Sequence, residues 1–445
     1  MTKEAHINVI GAGLAGCEAA YQAAQMGVKV TLYEMKPIKY TPAHHNSNFA
    51  ELVCSNSLRS NELSNAIGLL KEELRRLDSL IMMAAEETKV AAGSALAVDR
   101  EKFSSYITNI IKKHPNIEIK YEEVSKIEED EITVIASGPL TSEPLANYIK
   151  STLGLGNLHF FDAAAPIVDF ETIDMSKAFF ASRYNKGDAD YINCPMNEEE
   201  YKLFYDALIT AKEAELHDFD KDSQDLKVFE GCMPVEVMAR RGYETLLFGP
   251  LKPVGIEHPT TKETYFAVVQ LRKENNQGSM YNIVGFQTHL TFSEQKRVFG
   301  LIPGLENASF LRYGVMHRNT YINSPGLLDD DYSLKNKPYI YFAGQMTGVE
   351  GYIESCSSGY VAGVNAARKA LGLEKIDFTE KTVIGALSHY VSGTIYSGNF
   401  QPMNANFGIV APLEYKVKGG KKVRNEEIAK RSLSFIDVLK ERINQ

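Results

Sequence analysis

The chain has 445 residues, 44% hydrophobic and 24% charged, the balance of a soluble globular protein with room for two or three domains and a large core. A net charge of −9 gives no global attraction to nucleic acid, so DNA is not an expected partner and RNA contacts would need local basic patches. No apolar run approaches the roughly 18 residues of a membrane span, and the first strand begins too early for a signal peptide, so no membrane association and a cytoplasmic location are expected.

Residues 6–34 open with the apolar run Ile7-Asn8-Val9-Ile10, break into Gly11-Ala12-Gly13-Leu14-Ala15-Gly16, and continue as a small-residue helical pattern. A second apolar run, Val28 to Tyr33, ends on Glu34. Strand, tight turn, helix and parallel strand closing on a carboxylate form the fingerprint of a dinucleotide site. Gly11 allows the turn, Gly13 lets the backbone approach a pyrophosphate, and Gly16 lets helix and strand pack. The helix start, Leu14-Ala15, offers unpaired N–H groups to phosphate, and Glu34 stands where the ribose would lie.

A polar loop follows, with Cys54 among small polar residues. Residues 62–89 read as one long helix, with Ile67, Leu70, Leu74, Leu77 and Ile81 near helical spacing. A short strand at 95–98 precedes Asp99, an N-cap for a helix reaching His114. Strands at 117–121 and 132–136 continue the sheet, the second entering Ser137-Gly138-Pro139-Leu140-Thr141-Ser142, a second expected cofactor contact. From about residue 162 the texture becomes aromatic and charged, with a helix around 198–214 and antiparallel strands at 265–271 and 281–286 joined through Asn275-Asn276-Gln277-Gly278. The first fold resumes with the strand 339–343, a glycine turn, Gly344 to Gly348, and a helix over 352–371. Two dinucleotide-type units at opposite ends favour FAD over NAD as the held cofactor. The expected fold class is therefore α/β: a Rossmann-like FAD-binding domain (1–165 and 304–445, the latter with C-terminal helices) with an inserted α+β domain (166–303) for substrate or RNA.

The five cysteines, Cys17, Cys54, Cys194, Cys232 and Cys356, are odd in number, widely spaced and without a CxxC pair. A disulfide framework, a zinc ribbon and a thioredoxin-type couple are thereby argued against, and no metal site is expected. Cys17 and Cys356 fall in small-residue helices, where cysteine is an apolar filler; Cys194, before Pro195, has no assigned role. Cys54 reads equally as a reactive thiol near the cofactor and as a small residue shaping a loop. Cys232, bracketed by Gly231 and Pro234 and followed by Arg240 and Arg241, reads as an activated nucleophile or as a buried turn residue. His289, Lys296, Arg297, Arg312, His317 and Arg318 are the densest basic stretch of the middle region, and residues 416–424 carry five positive charges without an acid. Both are either solvated faces or an RNA track. Tyr352 is a candidate to stack on a flavin or folate, or a packing residue at a helix start.

Assembled, these segments resemble the folate- and FAD-dependent tRNA (uracil-5-)-methyltransferases, the TrmFO family, related to the GidA or MnmG flavoproteins. The resemblance rests on GAGLAG at 11–16, FAELVCSNSLRSN at 49–61, SALAVDR at 94–100, SGPLTS at 137–142, FEGCMP at 229–234, VVQLR at 268–272, RYGVMHRNTYINSP at 312–325, FAGQMTGVEGYIES at 342–355 and FQPMNANFG at 400–408, and it covers nearly the whole chain. The departures are modest: Cys356-Ser357-Ser358 stand in a helix where alanines are usual, and residues 394–398 differ. The resemblance implies that methylenetetrahydrofolate donates its one-carbon unit to C5 of the T-loop uridine, position 54, of tRNA, with reduced FAD supplying electrons and NADH or NADPH reducing the flavin. It implies that Cys232 adds to uracil C6 and that Cys54 removes the C5 proton. Alternatives are the same chemistry on ribosomal RNA, or a small-molecule FAD oxidoreductase. The sequence assigns no oligomeric state.

Overall fold

The computed structural model of the chain describes residues 4–41, 43–128, 130–152, 157–163, 165–185, 188–214, 233–274, 278–314, 316–394, 400 and 402–445. Its central sheet has six strands in the order Ser333–Leu334, Lys337–Phe342, Thr133–Ile135, His6–Ile10, Lys29–Glu34 and Ile117–Tyr121. The last five run parallel, and Ser333–Leu334 is an antiparallel edge. Ile7, Val9, Val30, Leu32, Val134 and Phe342 are all buried, as a sheet covered on both faces requires. The strand His6–Ile10 lies between its successor in the chain and Thr133–Ile135, so the order reverses there and opens a crevice at the strands' carboxyl ends.

The late unit docks on the first through small residues. A Cβ on Gly359 would stand 2.2 Å from the Ala15 carbonyl oxygen, and one on Gly363 would stand 2.6 Å from that of Ala19. The helices Leu14–Gln25 and Tyr352–Ala370 therefore pack backbone to backbone. This contact brings the two ends of the chain into one core.

The long helix expected over 62–89 is two helices, Ala66–Arg76 and Leu80–Glu87. Asp78 takes a left-handed φ of 56° and Ser79 caps the second helix, its hydroxyl accepting from the Met82 N–H at 3.3 Å. The break also lets the buried Glu18 accept from the N–H groups of Leu80 and Ile81 at 3.3 and 3.1 Å, a carboxylate at the positive end of a helix. Apolar spacing continues across the break, which is why periodicity alone missed it. As expected, Asp99 caps Arg100–Lys113, accepting from the Lys102 N–H at 3.2 Å. The strand Ala95–Val98 belongs to a small antiparallel sheet with Ser57–Ser60 and Lys89–Val90.

A second sheet has the order Phe179–Ala181, Tyr191–Met196, Ala267–Lys273, Met280–Ile283, Ile167–Asp169 and Phe310–Arg312, antiparallel throughout. It carries its own core with Tyr201, Phe204, Phe286 and Phe299. The sheet thus takes in residues as far along the chain as Arg312. The helix Glu198–Ile209 starts on a full capping box, Asn197 with Glu200, and ends five residues short of the expected 214. The turn residues 275–277 lie outside the described residues. A two-stranded ladder, Asn157–Ala163 with Met316–Ile322, accompanies the passage between the two sheets.

Candidate active site

A cleft open to solvent lies at the carboxyl ends of the parallel strands. Its walls include the glycine turn 11–15, Glu34, the turn 137–142, Gly344 and Tyr352. All three strand-to-glycine transitions expected from the sequence thus converge on one space. The glycines do different jobs. A Cβ on Gly11, whose φ is 98°, would lie 2.6 Å from the Ala136 carbonyl oxygen, and one on Gly16 would lie 1.8 Å from that of Gly11. Both are demanded by packing. A Cβ on Gly13 would meet nothing within 4 Å, so the space saved there belongs to the cleft. Gly13 caps the helix without a side-chain hydrogen bond, and the N–H groups of Leu14 and Ala15 have no carbonyl within the helix to bind.

Glu34 is buried, its carboxylate accepting from the N–H groups of Ala12 and Lys36, both at 2.9 Å. This ties the second strand to the glycine turn and leaves lone pairs for a ribose hydroxyl. Across the cleft, Thr141 Oγ1 donates to the Gly138 carbonyl at 2.7 Å, and the Gly344 N–H donates to Ser358 Oγ at 2.7 Å. A helix N-terminus open to anions, a bare glycine beside it and a buried carboxylate at ribose distance along the chain fit the dinucleotide half of FAD. Gly11, Ala12, Gly13, Leu14, Ala15 and Glu34 line the cleft and are the residues that would hold it; Gly16 does not line it and serves the packing of the turn.

Cys54 is half-buried at the rim; its neighbours Val53 and Tyr352 line the cleft. Its loop is gripped residue by residue. Arg100 donates to the Leu52 carbonyl at 2.5 Å, and Arg312 donates to that of Val53. The Cys54 and Ser55 N–H groups both donate to the Tyr352 hydroxyl, at 2.7 and 3.1 Å. Arg272 donates to Ser55 Oγ at 2.7 Å and to Asn56 Oδ1 at 3.0 Å, and Asn56 donates to the Lys273 carbonyl at 2.9 Å. Arg272, Lys273 and Arg312 come from the second sheet, and Arg100 and Tyr352 from the first unit. Tyr352 thus serves as a hydrogen-bond acceptor for the loop besides presenting its surface to the cleft. Burial, with Cys54 beside it, pushes its phenol well above the usual range.

Arg100 also chelates the buried Glu274, at 2.6 and 3.3 Å. Burial opposes its charge, but that carboxylate more than offsets the effect and raises its pKa. Arg312 has no such partner among the described residues; burial, then the Arg100 charge, pull its pKa down.

Cys232 lies outside the described residues. Met233, the next residue, is buried, and the helix Val235–Arg240 begins with the Val235 N–H bound to the Gln287 carbonyl at 2.7 Å. Cys17 and Cys356 are fully buried, and burial raises both thiols well above the ordinary range, as filler thiols should be. Cys194 is likewise buried, its thiol pushed up to about 12.

Among the described residues, the basic stretch from His289 to Arg318, one of the two candidates for an RNA track, does not form a single exposed stripe. His289 is buried against Glu213, Arg297 is chelated by Glu294, and Arg312 points inward to the Cys54 loop. The side chains of His317 and Arg318 lie outside the described set. By contrast, Lys416, Lys418, Lys421, Lys422 and Arg424 are all exposed, around the start of the helix Lys421–Ile443. Arg100, Glu274, Arg272 and Arg312 were not singled out for the Cys54 loop from the sequence. They lie 46 to 258 positions from it, and only the fold brings them together.

The chain matches the model of the family described as glucose inhibited division protein A over residues 6–374. It is 61% identical to the methylenetetrahydrofolate–tRNA-(uracil-5-)-methyltransferase TrmFO of Acetivibrio thermocellus over 97% of this chain and 98% of that one. It is 56% identical to the enzyme of the same name from Bacillus subtilis, over 98% and 99% of the two chains. Among solved structures, Aquifex aeolicus GidA superposes with a TM-score of 0.71 at 17% identity, covering 99% of this chain and 76% of that one, a likeness of fold.

Proposed function

The chain belongs to the GidA family and, within it, to the TrmFO methyltransferases, and from that premise we propose how its residues work. The protein is a flavin-dependent tRNA (uracil-5-)-methyltransferase that takes its one-carbon unit from methylenetetrahydrofolate. Its target is C5 of the T-loop uridine at position 54, and NADH or NADPH is its reductant. FAD, when bound, supplies the electrons that complete the methyl group.

Uracil C5 is a poor nucleophile until a thiolate adds at C6. Cys232 forms that S–C6 bond, sending the C5–C6 electron pair toward C5 and O4. C5 then bonds the methylene carbon as the first of that carbon's two bonds to folate nitrogens breaks. Cys54 takes the C5 proton as the second breaks, leaving a double bond from C5 to the new carbon, and a hydride equivalent reduces it to the methyl as the S–C6 bond breaks and the C5–C6 double bond returns. The target base lies in a folded loop and must be flipped out for this to happen. The exposed cations at 416–424 are suited to hold RNA phosphates meanwhile. The four free thiols among the described residues support a reducing, cytoplasmic setting.

The observation that carries this reading is the Cys54 loop: a half-buried thiol at the rim of the dinucleotide cleft, immobilised by both structural units. The test uses RNA carrying 5-fluorouridine, whose fluorine cannot leave as a proton does and therefore traps the adduct. Cys232→Ala should form no covalent adduct, and Cys54→Ala should form it but fail to methylate normal tRNA. An adduct in Cys232→Ala, or full methylation by Cys54→Ala, would overturn the assignment of roles.

A further inference from the structure

Five groups close on one another at the rim of the cleft: Cys54, Tyr352, Arg100, Glu274 and Arg312. Each arginine lies within electrostatic reach of Cys54, Tyr352 and Glu274. Their charges do not cancel. Arg100 and Glu274 form a closed pair with two hydrogen bonds, leaving Arg312, which has no acidic partner among the described residues, as a surplus cation. Arg272, on the neighbouring strand, is a further buried cation of the clamp, bound to Ser55 and Asn56, so with the thiol and phenol neutral the partly buried cluster carries a surplus of positive charge. A partly buried charge without a partner is costly, and the cost is relieved when a negative charge appears nearby.

The sulfur of Cys54 is the group in the cluster that must alternate between neutral and negative during turnover. Tyr352 is held by burial as a neutral phenol, and its oxygen is already occupied by two backbone N–H groups. Glu274 is occupied by Arg100. Arg312 also fixes where the thiol sits, because its guanidinium binds the carbonyl of Val53, the preceding residue. It comes from the outer strand of the second sheet, Phe310–Arg312, paired with Ile167–Asp169.

We propose that Arg312 is a positioning residue for methyl transfer: it holds the Cys54 loop and supplies the counter-charge to the Cys54 sulfur before it accepts the C5 proton. The substrate-side sheet thereby completes a base site whose thiol belongs to the flavin-side unit. In the step concerned, the C5–H bond breaks, its electron pair stays on the ring, and the proton passes to sulfur. The cluster then returns to its surplus positive charge, which favours release of the proton before the next cycle.

This rests on Cys54 acting as the base, and the test separates the two claims. FAD-loaded Arg312→Gln and Arg312→Lys are treated with iodoacetamide at neutral pH, and alkylation of the Cys54 peptide is followed by mass spectrometry. Cys17, Cys194 and Cys356 are buried and serve as internal controls. Arg312→Gln should slow Cys54 alkylation about tenfold, and Arg312→Lys should recover most of the rate. In turnover, Arg312→Gln should lower kcat by a similar factor with the KM for tRNA within about twofold, while still forming the 5-fluorouridine adduct. Alkylation of Arg312→Gln at the unsubstituted rate would overturn the proposal, as would a loss in Arg312→Lys equal to that in Arg312→Gln. Full methylation by Cys54→Ala would instead remove the base assignment on which the proposal stands, whatever the alkylation rates.

Discussion

Gly13→Ala separates the cofactor role of the glycine turn from its structural role. Gly13 sits at φ −74° and ψ −171°, a conformation open to any residue, and an added Cβ meets no protein atom within 4 Å. Alanine is a weaker N-cap by up to ~1 kcal/mol, and it restricts the unfolded chain by ~0.4–1 kcal/mol in its favour, so the terms nearly cancel. The apoprotein should melt within about 3 °C of the unsubstituted chain. The methyl group stands instead where a pyrophosphate must approach the N–H groups of Leu14 and Ala15. Losing one or two charge-assisted hydrogen bonds costs ~3 kcal/mol, or about a hundredfold in Kd. Titrating apoprotein with FAD and following the quenching of flavin fluorescence measures this directly. Gly16→Ala is the contrast, since its Cβ would lie 1.8 Å from the Gly11 carbonyl oxygen and the turn itself must break. Unaltered FAD affinity in Gly13→Ala would refute the placement of the phosphates.

Two further outcomes follow from buried and surface charge. Glu73 is fully buried, accepting from the Val383 and Ile384 N–H groups at 2.8 Å and from Ser432, and burial holds its carboxyl up at about 7 from 4.5. The folded state then keeps a proton that the unfolded chain releases, so this stability is full below pH 4.5 and is lost as pH rises through 7, by roughly 3 kcal/mol. Glu73→Gln does not titrate, so the stability of the unsubstituted protein relative to it should fall between pH 4.5 and 8 in urea melts; a pH-independent gap would contradict this. Reversing Lys421, Lys422 and Arg424 to glutamate places acids at a helix N-terminus, which should leave Tm unchanged or raised. The same change should weaken tRNA binding and make its salt dependence shallower by about 2 in log–log slope; an unchanged slope would remove these residues from the RNA surface.

Much of the fold was readable because its signals are local. The apolar strands, the glycine turns and the Asp99 cap each depend on neighbours within a few residues, and each was found. The break at Leu77-Asp78-Ser79 was not, because a single left-handed residue between two well-patterned helices leaves the apolar spacing intact. Strand ends in the second sheet shifted by about two residues for a similar reason: register there is set by cross-strand partners such as Leu271 with Ile283. The site divides the same way. The dinucleotide cleft was legible because GAGLAG and Glu34 lie in one supersecondary unit. The clamp on Cys54 was not, because Arg100, Arg272, Glu274 and Arg312 look like ordinary surface charges until the second sheet is laid against the loop. The basic stretch from His289 to Arg318 shows the converse: of its described cations, His289 is buried, Arg297 is held in a local ion pair and Arg312 is an inward clamp, although they cluster in sequence.

One reaction tests whether this chain methylates uridine with a folate carbon and flavin electrons. The FAD-loaded protein, NADH, methylenetetrahydrofolate labelled in its methylene carbon, and an unmodified tRNA transcript are incubated together, and the digested RNA is analysed for labelled 5-methyluridine. One labelled methyl group per tRNA is expected, at the T-loop uridine and dependent on each component. Flavin reduction and tRNA binding with no labelled 5-methyluridine would contradict it.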